Sequence, residues 1–167
     1  MKKIYAAYGS NLNRRQMEKR CRDAKFAGTG ILKNYSLCFK GEPDNAFATV
    51  VPKEGAFVPV GLWEISSEDE KALDRYEGVP FQYFKQEIRA ELEDGSAVCA
   101  MVYIMNLKMR YGLPSGSYYR DVYFGYQDCG FDTEILNEAL NVSVKEFYAA
   151  AIKQPSYRLS ENFFRPS

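Results

Sequence analysis

The sequence predicts an α+β protein: a small mixed β-barrel flanked by α-helices, or an open sheet built from the same strands. Three observations carry this expectation. Short segments rich in β-branched and aromatic residues recur from Ile4 to Met105, each bounded by turn residues. Several contain glycine or proline, which suits bulged and bent strands. From about residue 115 onward the periodicity becomes helical. Strands followed by helices mark the α+β class. Curling the sheet into a barrel would hide its edges, but pattern alone does not separate a barrel from an open sheet. The 167 residues are read as one domain, with a helical C-terminal part from about 115.

In chain order, Ile4-Tyr5-Ala6-Ala7 is a short apolar strand, and Asn13 to Arg20 is polar and rich in helix formers. A β region opens at Lys25 to Leu32, and Tyr35 to Phe39 alternates as a strand. Lys40 to Asn45 is a turn cluster. Phe47 to Pro52 is a strand closed by proline, Glu54-Gly55-Ala56 turns the chain, and Val58 to Ile65 is a further strand. Gly61 and Pro59 suggest a bend or bulge in it. Ser66-Ser67-Glu68-Asp69-Glu70 starts a helix that stops near Gly78 and Pro80. Phe84 to Leu92 and Ala97 to Met105 are partner strands around an Asp94-Gly95 hairpin turn. Tyr118 to Gln127 and Thr133 to Ala151 are helices. Gln154-Pro155-Ser156 ends the second, and Phe163 and Phe164 are candidates to pack on the body or mark an interface.

Composition narrows the chemistry. Charge is balanced at 22 basic and 22 acidic residues, which argues against a general nucleic-acid or membrane-surface binder. There is no histidine, which excludes a Ser-His-Asp triad, a Cys-His dyad and a histidine-bearing zinc site. Cys21, Cys38, Cys99 and Cys129 are scattered with no CxxC pair, as reduced structural cysteines are. Cys99 as a nucleophile would have no histidine to activate it. No segment resembles a signal peptide or a bilayer span, so a cytoplasmic location is expected. No metal and no organic cofactor are expected either.

Two stretches remain for chemistry. Tyr8-Gly9-Ser10-Asn11-Leu12 sits where the first strand hands over to the first helix. Backbone N–H groups at such a junction lack partners and favour a carboxylate or a polarised carbonyl oxygen. Gly9 permits unusual angles and a close ligand approach. Ser10, Asn11 or Asn13 can cap the helix, and a plain cap is the alternative reading. The second stretch is Leu73 to Tyr83. Glu77 is the last side chain before the helix-ending Gly78, at the negative end of the dipole. That position raises proton affinity and suits a general acid/base working near neutral pH. The alternative is an exposed glutamate beside Arg75.

Taken together, the Tyr-Gly-Ser-Asn-Leu loop, Leu73-Asp74-Arg75-Tyr76-Glu77-Gly78 and a tyrosine six residues past the glutamate resemble the γ-glutamyl cyclotransferase-like (AIG2-like) family. Val102-Tyr103-Ile104-Met105, and Pro114-Ser115-x-x-Tyr118 followed by Gly125 and Gly130, extend the similarity to residues 5–130. The resemblance implies a small β-barrel with helices around it. It implies a γ-glutamyl substrate whose free α-amine attacks its own γ-carbonyl, releasing an amine or amino acid and 5-oxoproline. Glu77 then corresponds to the catalytic acid/base. Tyr8, Gly9, Ser10, Asn11 and Leu12 correspond to the substrate cradle, and Tyr83, Tyr103 and Tyr118 to pocket-lining tyrosines. Because Tyr118 and Tyr119 are adjacent, either could be the matching residue. The implied partner is a small γ-glutamyl molecule, with no nucleic acid and no membrane. A homodimer is an assembly that a solution mass would test. Two other readings stay open: a ligand-binding module on the same barrel, and a structural partner-binding protein.

Overall fold

The computed structural model describes residues 2–153. The expected helix stop at Gln154-Pro155-Ser156 and the aromatic pair Phe163 and Phe164 lie outside the described residues. Five strands close into a mixed barrel in the order β1-β3-β2-β4-β5. They are β1 (Lys3–Ala7), β2 (Lys25–Glu42), β3 (Asn45–Ile65), β4 (Tyr83–Glu91) and β5 (Ala97–Met105). Four helices surround them: α1 (Arg14–Arg20), α2 (Ser67–Glu77), α3 (Gly116–Cys129) and α4 (Thr133–Lys153). Among the described residues, no helix is long and apolar enough to cross a membrane.

The strands expected as separate pieces merge. Lys25–Leu32 and Tyr35–Phe39 are one strand, β2, and Phe47–Pro52 and Val58–Ile65 are one strand, β3. The pairing jumps from Lys33↔Phe57 to Tyr35↔Pro52, so residues 53–56 loop out of the ladder without ending it. Asn34 (φ 62°) and Gly55 (φ 79°) both take left-handed backbone there. The Gly55 N–H donates to Asn34 Oδ1 at 3.0 Å. The local turn chemistry is thus genuine, but the pairing on either side overrides it.

Gly61 makes no bulge. It pairs in register with both Ala7 and Thr29. Its missing side chain instead leaves room for Leu12, whose Cδ2 would lie 2.9 Å from a Cβ at this position.

Two long ladders, β2–β3 and β4–β5, make up most of the sheet. Narrow seams close the barrel, a parallel one at Tyr5↔Met101 and an antiparallel one at Ile31↔Glu91. Leu32, Phe39, Val50, Val58, Val60 and Val102 of the strands are fully buried. Thr49, also buried, accepts a hydrogen bond at Oγ1 from the Met105 N–H (3.0 Å), tying β3 to β5 across the core. The outer edge of β2 is covered by α4. There the buried Ser143 hydroxyl accepts from the Phe39 N–H at 2.8 Å and donates to Ala139 O. An edge amide that would otherwise be orphaned is satisfied in this way.

Helix ends follow their sequence signals. α2 opens with a full capping box between Ser66 and Asp69 and ends at Gly78 in the left-handed region. α3 is capped by the Ser115 hydroxyl and ends at a left-handed Gly130.

Candidate active site

β1 ends at Ala7, and the chain turns through Tyr8 and Gly9 into a single 3-10 turn, Ser10–Leu12. Asn13 then caps α1, its side chain accepting from the Gln16 N–H. Within the turn the Leu12 N–H donates to Gly9 O and the Asn13 N–H to Ser10 O, both at 3.1 Å. The N–H groups of Gly9, Ser10 and Asn11 donate to no other described residue. These three amides are what the turn leaves for a ligand.

Gly9 has an ordinary negative φ of −114°. What it needs is space: a Cβ there would meet Tyr118 Oη at 3.3 Å and Ala48 Cβ at 3.4 Å.

Beside the turn is a cavity of about 210 Å³. Tyr8, Gly9, Ser10, Asn11, Glu77, Tyr83, Tyr103 and Tyr118 all line it. Seven of the eight cradle and tyrosine residues expected from the sequence therefore meet the expected acid in one place. Leu12 does not. Its side chain is fully buried against Gly61 and Gly125, and its N–H is already used inside the turn. Leu12 anchors the cradle from behind and offers nothing to a substrate. Tyr118, not Tyr119, faces the cavity; Tyr119 turns toward Phe39, with ring centroids 6.0 Å apart.

Glu77 ends α2 with its carboxyl at the cavity. The Asn11 side-chain amide donates to Glu77 Oε1 at 3.4 Å and to Tyr5 Oη at 2.9 Å. Burial pushes the Glu77 carboxyl up to about 7, and the charge of Arg20 pulls it partly back. The direction agrees with the sequence expectation, and desolvation is its largest cause.

The phenols around it stay protonated. Burial raises Tyr5, Tyr8, Tyr83, Tyr103 and Tyr118, and the nearby Glu77 charge adds to each. Most are also fixed by hydrogen bonds. Tyr8 donates to Tyr103 O at 2.5 Å, Tyr83 to Ala48 O at 2.9 Å and Tyr103 to Asp74 Oδ1 at 2.7 Å. Tyr118 differs. Its oxygen accepts from the Ala48 N–H at 3.0 Å, while its own proton has no acceptor among the described residues. The cavity thus holds one titratable acid in a ring of neutral, oriented hydroxyls.

Sequence reading missed Tyr5, Asp74 and Arg20. Tyr5 sits in β1 and reads only as a strand residue. Asp74 works one step behind Tyr103. Arg20 does not line the cavity, but it shares a helix face with Gln16, four residues earlier, and that spacing was the available signal.

Of the four cysteines, Cys21, Cys38 and Cys129 are held as thiols by burial, Cys21 at about 12 and the other two at about 11. Cys99 is exposed and lies outside this cavity. Among the described residues, no group of three or more Cys, Asp or Glu is placed to hold a metal ion.

The closed five-stranded mixed barrel with surrounding helices is the fold that the sequence motifs led one to expect. The family model described as gamma-glutamyl cyclotransferase, AIG2-like, matches residues 5–120, and the chain belongs to that family. A solved gamma-glutamyl cyclotransferase superposes with a TM-score of 0.76 at 22% identity, covering 83% of this chain and 86% of that one. An uncharacterized protein from Homo sapiens gives 0.75 at 24% identity, with coverage of 83% and 86%. YkqA from Bacillus subtilis gives 0.71 at 19% identity, covering 87% of this chain and 55% of that one. At these identities the likeness is one of fold. No curated protein matches the chain by sequence.

Proposed function

We propose that the chain is a γ-glutamyl cyclotransferase, converting a γ-glutamyl amine or dipeptide to 5-oxoproline with release of the amine. The observation that carries this reading is Glu77. It is a half-buried carboxyl raised to about 7, hydrogen-bonded to the cradle and surrounded by neutral phenols.

In the reaction a C–N bond forms between the α-nitrogen and the γ-carbon, and the original γ-amide C–N bond breaks. Two protons leave the α-ammonium and two reach the departing nitrogen. No water and no redox partner is consumed. Glu77, as carboxylate, takes a proton from the α-ammonium; as carboxylic acid, it returns one to the departing amine. A group poised near 7 serves both halves of this exchange. Because nucleophile and electrophile are parts of one molecule, the pocket's main task is to hold the folded substrate. Good orientation supplies on the order of 7–11 kcal/mol of barrier lowering. The free N–H groups of Gly9, Ser10 and Asn11 and the free proton of Tyr118 are donors for the α-carboxylate and the developing oxyanion. One such donor is worth about 3–4 kcal/mol. The cavity is smaller than the roughly 300–1,000 Å³ of drug-sized sites, which suits a glutamyl group with its leaving group at the mouth.

The test is 5-oxoproline release from a panel of γ-glutamyl amines and dipeptides by wild type and Glu77→Gln. Glutamine keeps the shape and can accept from Asn11 but cannot shuttle a proton. Turnover is expected to fall by roughly 10²–10⁴ with substrate binding retained. Equal release by both proteins would remove Glu77 from the chemistry. No release by wild type from any substrate would favour a ligand-binding module.

A further inference from the structure

We propose that Arg20 is a positioning residue that orients the Asn11 amide toward Glu77 and places a cation behind the cradle that favours the Glu77 carboxylate. Arg20 lies behind the cradle, on the last turn of α1; it does not itself line the cavity but bonds directly to the lining residues Ser10, Asn11 and Tyr76. Its guanidinium makes a fan of contacts that a planar fork is suited to. Nη1 donates to Ser10 Oγ at 3.1 Å and to Asn11 Oδ1. Nη2 donates to Tyr76 Oη at 2.5 Å and Gln16 Oε1 at 3.4 Å. The Tyr76 ring lies under it, 3.7 Å from Cζ to the ring centroid.

The consequence for Asn11 is directional. An amide side chain has one accepting end and one donating end. Arg20 has only donors, so it must take the oxygen. That leaves the Asn11 NH₂ group facing Tyr5 Oη and Glu77 Oε1, where it is found. A flipped amide would set its NH₂ against a cation and its oxygen against the carboxylate. Arg20 therefore decides that the cradle presents a donor to Glu77.

The second consequence is electrostatic. The ionisable groups facing Glu77 are Tyr5 from β1, Tyr8 from the turn after it, Tyr83 from β4, Tyr103 from β5, Tyr118 from α3 and Arg20 from α1. Asp74, on α2 itself, reaches the site through the Tyr103 hydroxyl. The phenols are neutral at physiological pH. Arg20 is the cation in the set, and it favours the carboxylate form against burial.

The two roles separate in two variants. Arg20→Met removes charge and fork together, while Arg20→Lys keeps a charge without the planar fork. The direct readout is the Glu77 carboxyl carbon, titrated by NMR in the full chain and assigned by its loss in Glu77→Gln. In Arg20→Met the midpoint should rise by about one pH unit, the scale of a nearby charge. In Arg20→Lys it should return toward wild type. An unchanged midpoint in folded Arg20→Met would overturn the electrostatic role.

The activity arm rests on the cyclotransferase reading. In Arg20→Met the alkaline-rising limb of 5-oxoproline release should move up with the NMR midpoint. In Arg20→Lys the limb should stay close to wild type while kcat falls about tenfold, because an ammonium cannot span Ser10, Asn11, Tyr76 and Gln16 together and holds Asn11 less firmly. Wild-type kcat in Arg20→Lys would overturn the orienting role. Should wild type release no 5-oxoproline, the cyclotransferase reading fails. The carboxyl titration and the Asn11 side-chain NH₂ resonances of the same variants then decide the role of Arg20 alone. Unshifted NH₂ resonances in both variants would overturn it.

Discussion

At the scale of the residue, Glu77 links the proposed chemistry to stability. Its carboxyl titrates at about 7 in the folded chain against an ordinary value of 4.5, because burial disfavours the charge. The folded state therefore holds this proton over a range where the unfolded state has released it. The sign follows: stability from this group is greatest below about 4.5 and is lost as pH rises toward 7. Above that, the half-buried carboxylate destabilises the fold by up to roughly 3 kcal/mol. Glu77→Gln is neutral at every pH and should be more stable than wild type at pH 8, with the gap closing at pH 4. Denaturant unfolding of both proteins at the two pH values measures this. A surface glutamate, which the sequence left as the alternative, would show no gap. The sequence located Glu77 from its place before a helix-ending glycine. It did not reveal the burial, which comes from tyrosines on four other elements that meet only in the fold.

At the scale of the element, the cradle is held in place by the helix behind it. α3 approaches the turn at Gly125, where a Cβ would lie 2.6 Å from Leu12 Cβ and 2.8 Å from the Asn13 N. Asn13 Nδ2 donates to Asp121 O at 3.4 Å, and the Arg14 N–H to Asp128 Oδ2 at 3.2 Å. Gly125→Ala sets two effects against each other. Alanine favours a helix interior by about 1 kcal/mol over glycine. Overpacking a filled site costs about 1–3 kcal/mol, and here part of the obstacle is backbone. The clash should win. The variant should lose about 1–2 kcal/mol in denaturant unfolding and lose turnover as well, because any relief moves the cradle away from Glu77. Unchanged stability and turnover would show that α3 does not set the position of the turn. Element identity was largely legible in the sequence. Caps such as Ser66 and Ser115, and stops such as Gly78 and Gly130, act within a few residues of themselves. The merging of two segments into β3 was not legible. The turn signal at Gly55 is real, and only the partner strand shows that pairing resumes beyond it.

At the scale of the whole molecule, the barrel consists of two strongly paired sets joined by weak seams. β1, β3 and β2 pair along long ladders, and β4 pairs with β5 along its full length. Strand pairing between the sets is confined to crossings near Tyr5↔Met101 and Ile31↔Glu91, supplemented by side-chain bonds such as Thr49 to Met105, Tyr8 to Tyr103 and Tyr83 to Ala48. The cavity spans this division. Tyr8 and the cradle follow directly on β1, whereas Tyr83 and Tyr103 come from β4 and β5. Few hydrogen bonds hold a seam, so it should open locally more often than the ladders on either side. A bound ligand that touches both sets should close it. Hydrogen exchange on the full chain should show amides at the seams, around Tyr5, Met101, Ile31 and Glu91, exchanging faster than those in the centre of the β2–β3 ladder. Adding 5-oxoproline should slow the Tyr5–Met101 seam most, since it borders the cavity, and the Ile31–Glu91 seam less. Saturating ligand at a hundred times its Kd adds about 2.7 kcal/mol to global stability, which sets the ceiling on uniform protection. Equal slowing at both seams, or none at Tyr5 and Met101, would mean that the two halves of the barrel do not close around a common ligand.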